Sequence, residues 1–187
     1  HMELIGQVAA EKGVRAPVLL RLTSGNQFGL DRAALKELVR AHADDPRFEL
    51  RGVQYFSGTQ KTSLKRLERE ADKLARLAEK LERECAWHPA EIEWGPGLPV
   101  SYYDADGFDE AAFLAALGDM VRGLSGIGHV TLEVGRSLAA SCGTYLTRVV
   151  DVKRNAGQAY AIVDGGMHHL VYYGGSMALR QPPVRVL

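Results

Sequence analysis

The sequence predicts an α/β fold: a parallel β/α layer followed by the beginning of an antiparallel β domain. Three observations carry this. Short apolar runs alternate with helix-like stretches over residues 3–133. Capping residues and glycines punctuate the changes from one to the next. After Arg136 the helical pattern stops, and runs carrying Tyr, Thr and Val take over. Residues 1–136 are therefore expected to form the β/α units and residues 137–187 the start of the β domain.

Taken in order, residues 3–12 read as the end of a helix, closed by Gly13. Pro17 to Leu22 is a short apolar run of the kind a buried parallel strand shows. Asp31 caps a helix to about His42, with Leu35, Leu38 and Val39 as its apolar stripe. Residues 49–55 read as a strand. Thr62 opens a long helix to about Cys85, in which Leu64, Leu67, Ala71, Leu74, Ala78, Leu81 and Cys85 recur at steps of three and four. That spacing suits either a coiled-coil seam or a helix docking a narrow stripe on a sheet, and the flanking strands favour the second. Glu91 to Trp94 is a short strand, Asp109 starts a helix to about Arg122, and Gly128 to Glu133 is the fourth strand. Gly143 to Lys153 and Gln158 to Val163 are β-like, with Asn155-Ala156-Gly157 supplying turn residues between them. Four parallel strands in consecutive order are expected from the first part.

Composition narrows the function. Lys plus Arg and Asp plus Glu both number 23 in the 187 residues, so no global field draws the chain to nucleic acid or anionic membrane. No apolar run approaches the roughly 20 residues that span a bilayer, and a cytoplasmic location is expected. Cys85 and Cys142 have neither metal-site nor Cys-x-x-Cys spacing and read as reduced thiols. His1-Met2 looks like the remnant of a cleaved tag.

Three segments carry chemistry. In Leu132-Glu133-Val134-Gly135-Arg136 a carboxylate at a strand end is followed by a glycine turn and a guanidinium. Such a set suits a phosphorylated, nitrogen-containing ring, although Glu133 taken alone reads rather as an exposed loop carboxylate paired with Arg136. Trp94-Gly95-Pro96-Gly97-Leu98-Pro99 is a glycine turn whose N–H groups can approach an anion, less the one that Pro96 lacks. It also reads as an ordinary strand-to-helix turn. Val163-Asp164-Gly165-Gly166-Met167-His168-His169 adds a carboxylate able to hold an ammonium. The two histidines are adjacent, diverge on a helix or a strand, and have no third ligand nearby, so no metal site is expected.

The order and spacing of these segments resemble the pyridoxal-phosphate-dependent ornithine/diaminopimelate/arginine decarboxylases, whose barrel is of the alanine-racemase type. The resemblance covers nearly the whole chain from about Glu3. It implies half of a TIM-like barrel plus the start of the β domain, with pyridoxal phosphate as cofactor. It further implies that Glu133 meets the ring nitrogen, Gly95 and Gly97 the phosphate, and Arg136 the same phosphate. Thr59 stands where the family has a serine at that phosphate, and Phe56 where it has a histidine stacked on the ring. Arg21 matches a strand-borne arginine near the cofactor, and Asp164 an aspartate at the substrate's distal amine, here counted as catalytic. Gln27-Phe28-Gly29 resembles the family's Lys-Phe-Gly.

Relatives begin with a strand bearing the Schiff-base lysine, and Lys12, Lys36, Lys61 and Lys153 all lie elsewhere in the pattern. The resemblance therefore implies part of an amino-acid decarboxylase whose cofactor is held noncovalently at best. The Asp-Gly-Gly-Met-His-His run suggests a carrier-linked or unusual amino acid as substrate. A non-catalytic half-barrel binding or scaffold protein, and a racemase or epimerase of the same fold, are the alternatives. A homo-oligomer or a complementary N-terminal half is the expected partner.

Overall fold

In the computed structural model the described residues are all but 102–107, 167, 170–183 and 187. Met167, quoted above with its motif, lies outside them. The described chain divides into two compact units. One comprises His1–Pro99 and Asp109–Gly135; the other comprises the described residues of Val100–Phe108 and Arg136–Leu187.

The first unit is built from α1 (Met2–Lys12), β1 (Ala16–Leu22), α2 (Arg32–His42), β2 (Phe48–Phe56), α3 (Leu64–Cys85), β3 (Glu91–Gly95), α4 (Glu110–Ser125) and β4 (His129–Leu132). Its sheet has the order β1-β2-β3-β4, and every neighbouring pair is parallel. The four strands expected from the sequence are thus adjacent and parallel, as βαβ crossovers require.

Local chemistry explains the boundaries. Asp31 Oδ1 accepts from the Ala33 and Ala34 N–H groups at 2.8 and 2.9 Å, and Asp109 caps α4 through Ala112 N–H at 2.9 Å. Gly13 ends α1 in the left-handed conformation, at φ 62°. Helix α3 starts at Leu64 rather than Thr62; Ser63 takes the cap position, without a side-chain capping bond.

The alternation of each strand sends successive side chains to opposite faces. Leu20, Leu22, Val53, Tyr55, Ile92 and Trp94 are buried. Tyr55 and Trp94 meet α3 on this side: Lys73 Nζ donates to the Tyr55 hydroxyl at 3.2 Å, and Trp94 Nε1 donates to Glu70 Oε2 at 3.3 Å. Leu67, Leu74 and Leu81 of α3 have no exposed surface, each worth roughly 1.5–3 kcal/mol against exposure. Helix α3 is therefore a docked helix, with a buried stripe widened by Leu77 and by the polar Glu70. It also meets α2, where Lys36 Nζ pairs with Glu84 at 2.8 Å.

The second unit contains the short helix α5 (Arg136–Ala139), which the sequence did not announce, and a hairpin of β5 (Val149–Asn155) and β6 (Gln158–Val163). Ala156 and Gly157 turn the hairpin at φ 48° and 83°. The expected strand from Gly143 begins only at Val149. Residues 143–148 form no strand; just beyond the ladder Asp164 N–H donates to Arg148 C=O at 3.1 Å, and Thr147 and Arg148 bond the Asp164 side chain. His168 and His169 sit in a turn rather than a helix or strand, and their rings approach to 3.9 Å instead of diverging. No group of three or more candidate metal ligands gathers among the described residues.

Candidate functional site

The sheet face opposite α3 carries a polar row. Across the strands Arg21 lies opposite Gln54, Gln54 opposite Glu93, and Glu93 opposite Thr131. One layer toward the carboxyl end, Phe56 lies opposite Gly95. Glu133 enters at the same level, because its N–H donates to Trp94 C=O at 2.9 Å and so extends the β3–β4 ladder.

Glu133 is held. Gln54 Nε2 donates to its Oε1 at 2.9 Å. A Cβ on Gly95 would lie 2.6 Å from the Phe56 ring and 3.1 Å from Glu133 Oε2. Glycine is therefore what lets the carboxylate and the aromatic ring flank the end of β3. Gln54 is 8% exposed, and its Oε1 is buried without a protein partner among the described residues. An orphaned buried acceptor beside a carboxylate is unusual in a finished core. Glu93 is hydrogen-bonded to Glu133. That bond, burial, and the charges of Glu133 and Glu91 push the Glu93 carboxyl up to about 7.

A second cluster sets the two loops beyond the strands. Gly97, at φ 65°, has no room for a side chain, since a Cβ would lie 2.1 Å from Gly58 C=O. Lys61 N–H donates to Gly97 C=O at 3.0 Å. The Lys61 ammonium is buried, donating to Glu70 Oε2 at 2.7 Å and Ser57 Oγ at 3.0 Å. Burial holds this amine below the ordinary lysine range, against the pull of Glu70. Arg66 closes the loop by donating to Ser57 C=O at 2.9 Å. Thr59 lies exposed on this loop, next to Gly58 at φ 116°. Pro96 is fully buried between the two glycines.

Of the residues singled out from sequence, the first unit therefore gathers Phe56, Gly95 and Glu133 around one point, with Gly97 and Thr59 on the adjoining loops. Arg21 joins through the register row, its guanidinium 5.1 Å over the Phe28 ring. Gly29 permits this loop to fold back on β1: a Cβ there would lie 2.8 Å from Arg21 C=O. Arg136 and Asp164 belong to the second unit. Arg136 opens α5. Asp164 Oδ1 accepts from Thr147 Oγ1 at 2.8 Å and Arg148 N–H at 2.9 Å, and these bonds lower its carboxyl below the ordinary range. Gln54, Glu93 and the Lys61–Glu70 pair were not singled out. For Glu93 a signal existed: Glu91 and Glu93, two apart in a strand, share a face.

Comparison with known proteins gives the context of this geometry. A family profile described as "Pyridoxal-dependent decarboxylase, C-terminal sheet domain" matches residues 16–185. The chain is 30% identical over 179 residues to a diaminopimelate decarboxylase of Pseudomonas fluorescens, a match covering 88% of this chain and 42% of the relative. It is 26% identical over 171 residues to an L-glutamyl-acyl-carrier-protein decarboxylase of Niallia circulans, covering 85% of this chain and 40% of the relative. A crystal structure of a diaminopimelate decarboxylase from M. jannaschii shares the fold, with a TM-score of 0.78, 24% identity, and coverage of 88% of this chain and 42% of that one. The chain thus spans less than half the length of the relatives it matches.

Proposed function

The chain belongs to the pyridoxal-dependent decarboxylases, and on that premise we propose that its sheet carries the ring-nitrogen and phosphate side of an amino-acid decarboxylase site. The observation that carries the reading is the Glu133 carboxylate, fixed by Gln54 and set beside the Phe56 ring over a glycine that leaves them room. Pyridoxal phosphate fits this set. A carboxylate suits a ring N–H, an aromatic face suits a planar ring, and the glycine-bounded turn and loop at Gly95–Gly97 and Gly58–Thr59 suit an anion. Arg136 follows the Glu133 segment directly in sequence, and its guanidinium is of a type suited to a phosphate. When bound, the cofactor supplies an electron-accepting ring for the carbanion left by loss of carbon dioxide.

The chain's own groups would do the following. Glu133 accepts the ring N–H and keeps that proton in place. Phe56 stacks on the ring and excludes water from one face, offering no proton of its own. Gly97 and Thr59 orient the phosphate, and Arg21 lies one row below. Asp164 would meet an ammonium on an amino-acid-like substrate, with Thr147 and Arg148 N–H keeping it ionised. An amino acid, free or carrier-linked, is the substrate class, in keeping with the names diaminopimelate decarboxylase for the P. fluorescens relative and L-glutamyl-acyl-carrier-protein decarboxylase for the N. circulans relative. Strands β1 and β4 are the two ends of the sheet, and such edges favour a second copy or a complementary chain as partner.

The test is titration of the purified chain with pyridoxal phosphate, followed by the cofactor's absorbance and by quenching of the two tryptophans. Binding is expected, and Glu133→Ala should weaken it about tenfold or more, the scale of one charge-assisted hydrogen bond at ~1.5–3 kcal/mol. Equal affinity in both proteins would remove Glu133 from the site.

A further inference from the structure

The polar row holds a carboxyl group that the proposed cofactor contacts do not use. Glu93 lies on the same sheet face as Glu133 and is hydrogen-bonded to it. Two carboxylates in contact repel strongly unless one keeps a proton between them. The groups around Glu93 do little to relieve that repulsion. On its own strand Glu91 adds a further negative charge, partly engaged by Arg51 at 3.7 Å and by the Thr131 hydroxyl at 3.2 Å. On β4, Thr131 faces Glu93 and His129 faces Glu91. On β2, Gln54 is neutral and turns its N–H to Glu133. The row's cation, Arg21, lies two strands away and stacks on Phe28.

We propose that Glu93 is a positioning residue, and that Glu93 and Glu133 form one acid pair which shares a single proton and presents a single negative charge at the carboxyl end of the sheet. The Glu93 O–H then donates to Glu133, as Gln54 Nε2 does. Glu133 thereby receives two donors that fix its orientation and disperse its charge. The arrangement has a consequence that rests on the pyridoxal phosphate reading. Glu133 would relay the Glu93 proton, receiving it from the Glu93 carboxyl and passing it to a ring nitrogen that would otherwise be held unprotonated. The pair passes from one negative charge to two as the ring gains one positive charge, so proton and charge balance within the site. Glu93 acts through Glu133 throughout.

The test reads the pair directly. The chain is labelled with ¹³C at glutamate side chains, and carboxyl shifts are followed from pH 4 to 9 for wild type, Glu93→Gln and Glu133→Gln. The expected result is one wild-type carboxyl titrating near neutrality. It should be absent in Glu93→Gln and return to the ordinary glutamate range in Glu133→Gln. If all wild-type glutamates titrate in the ordinary range, the pair is refuted, whether or not either variant folds. Pyridoxal phosphate binding measured across the same pH range separates this inference from the function proposed above. A neutral-range titration with no cofactor binding sustains the pair and overturns the cofactor reading. Binding with only ordinary titrations does the reverse. Where both hold, the affinity of wild type should change across neutral pH while that of Glu93→Gln stays flat.

Discussion

At the scale of single residues, burial of charge is the governing cost. The Lys61 and Glu70 side chains are 1% and 8% exposed, and their contact at 2.7 Å makes Glu70 the compensation of the buried ammonium, while Glu70 also meets Arg66 at 3.5 Å. Removing one partner strands a charge. Glu70→Ala should therefore destabilise the first unit by roughly 3–5 kcal/mol, whereas Lys61→Met combined with Glu70→Leu should cost much less. Urea unfolding of the two single variants, the double variant and wild type checks this. Glu93 gives a pH signature of known sign. Its carboxyl rises from 4.5 to about 7 on folding, so the folded state binds a proton that the unfolded state has released. The stability it contributes is full below about pH 4.5 and is lost as pH rises through about 7. His88, raised by its bonds to Ile127 C=O and Glu82, loses stability over a neighbouring interval in the same direction. The Glu93 share is therefore the difference between wild type and Glu93→Gln: melting temperature should fall more steeply from pH 5 to 8 in wild type. Neither Lys61–Glu70 nor Glu93–Glu133 could be read along the chain. Gln54 and Glu133 are 79 residues apart and meet only because the register of three strands aligns them. Glu133 itself was readable, because its neighbours Gly135 and Arg136 form a local pattern.

At the scale of elements, what was readable is what local chemistry decides. Asp31 and Asp109 satisfy orphan N–H groups within three residues of themselves, so the starts of α2 and α4 follow from the sequence. At α3 both Thr62 and Ser63 are suitable capping types, and sequence gave no means to choose between them. Strand β5 starts later than its sequence suggests: Tyr145, Leu146 and Thr147 have strand propensity, but a strand also needs a partner, and the β6 ladder reaches only as far as Val149. The Gly95–Gly97 turn was readable as a turn; its seating against Gly58 was not, since that contact depends on where the β2–α3 loop folds. Gly97→Ala tests the seating. The substitution places a Cβ 2.1 Å from Gly58 C=O and imposes a left-handed backbone on alanine, the second effect alone costing about 1–2 kcal/mol. The variant should unfold at lower urea and lose pyridoxal phosphate affinity, while Gly143→Ala, in open space, should change neither. Equal urea midpoints for Gly97→Ala and wild type would show that the two loops are not locked together.

At the scale of the whole molecule, the question is which group joins the cofactor covalently. Lys36, Lys65, Lys73 and Lys80 lie on α2 and α3, the helices that cover the other side of the sheet from Glu133. Lys12 ends α1, Lys153 lies in the β5–β6 hairpin, and Lys61 is closed in with Glu70. No described lysine of the first unit therefore stands beside Glu133 and Phe56. On the function proposed above, Glu133 and the Gly58–Thr59 and Gly95–Gly97 loops would hold the cofactor without such a lysine, but would not by themselves fix the reacting carbon against it. Positioning of that kind accounts for roughly 7–11 kcal/mol of a reaction barrier, which corresponds to about five orders of magnitude or more in rate. These 187 residues alone should bind pyridoxal phosphate and release no carbon dioxide above the rate of free cofactor. The measurement is carbon dioxide release from a panel of free and carrier-linked amino acids. It is made with the chain alone and with the added segment of the P. fluorescens relative that this chain does not cover. Turnover with the added segment, abolished by Glu133→Ala, is the expected outcome. Robust turnover by the chain alone would mean that one of its own lysines reaches the ring, with Lys61 the first to replace by methionine.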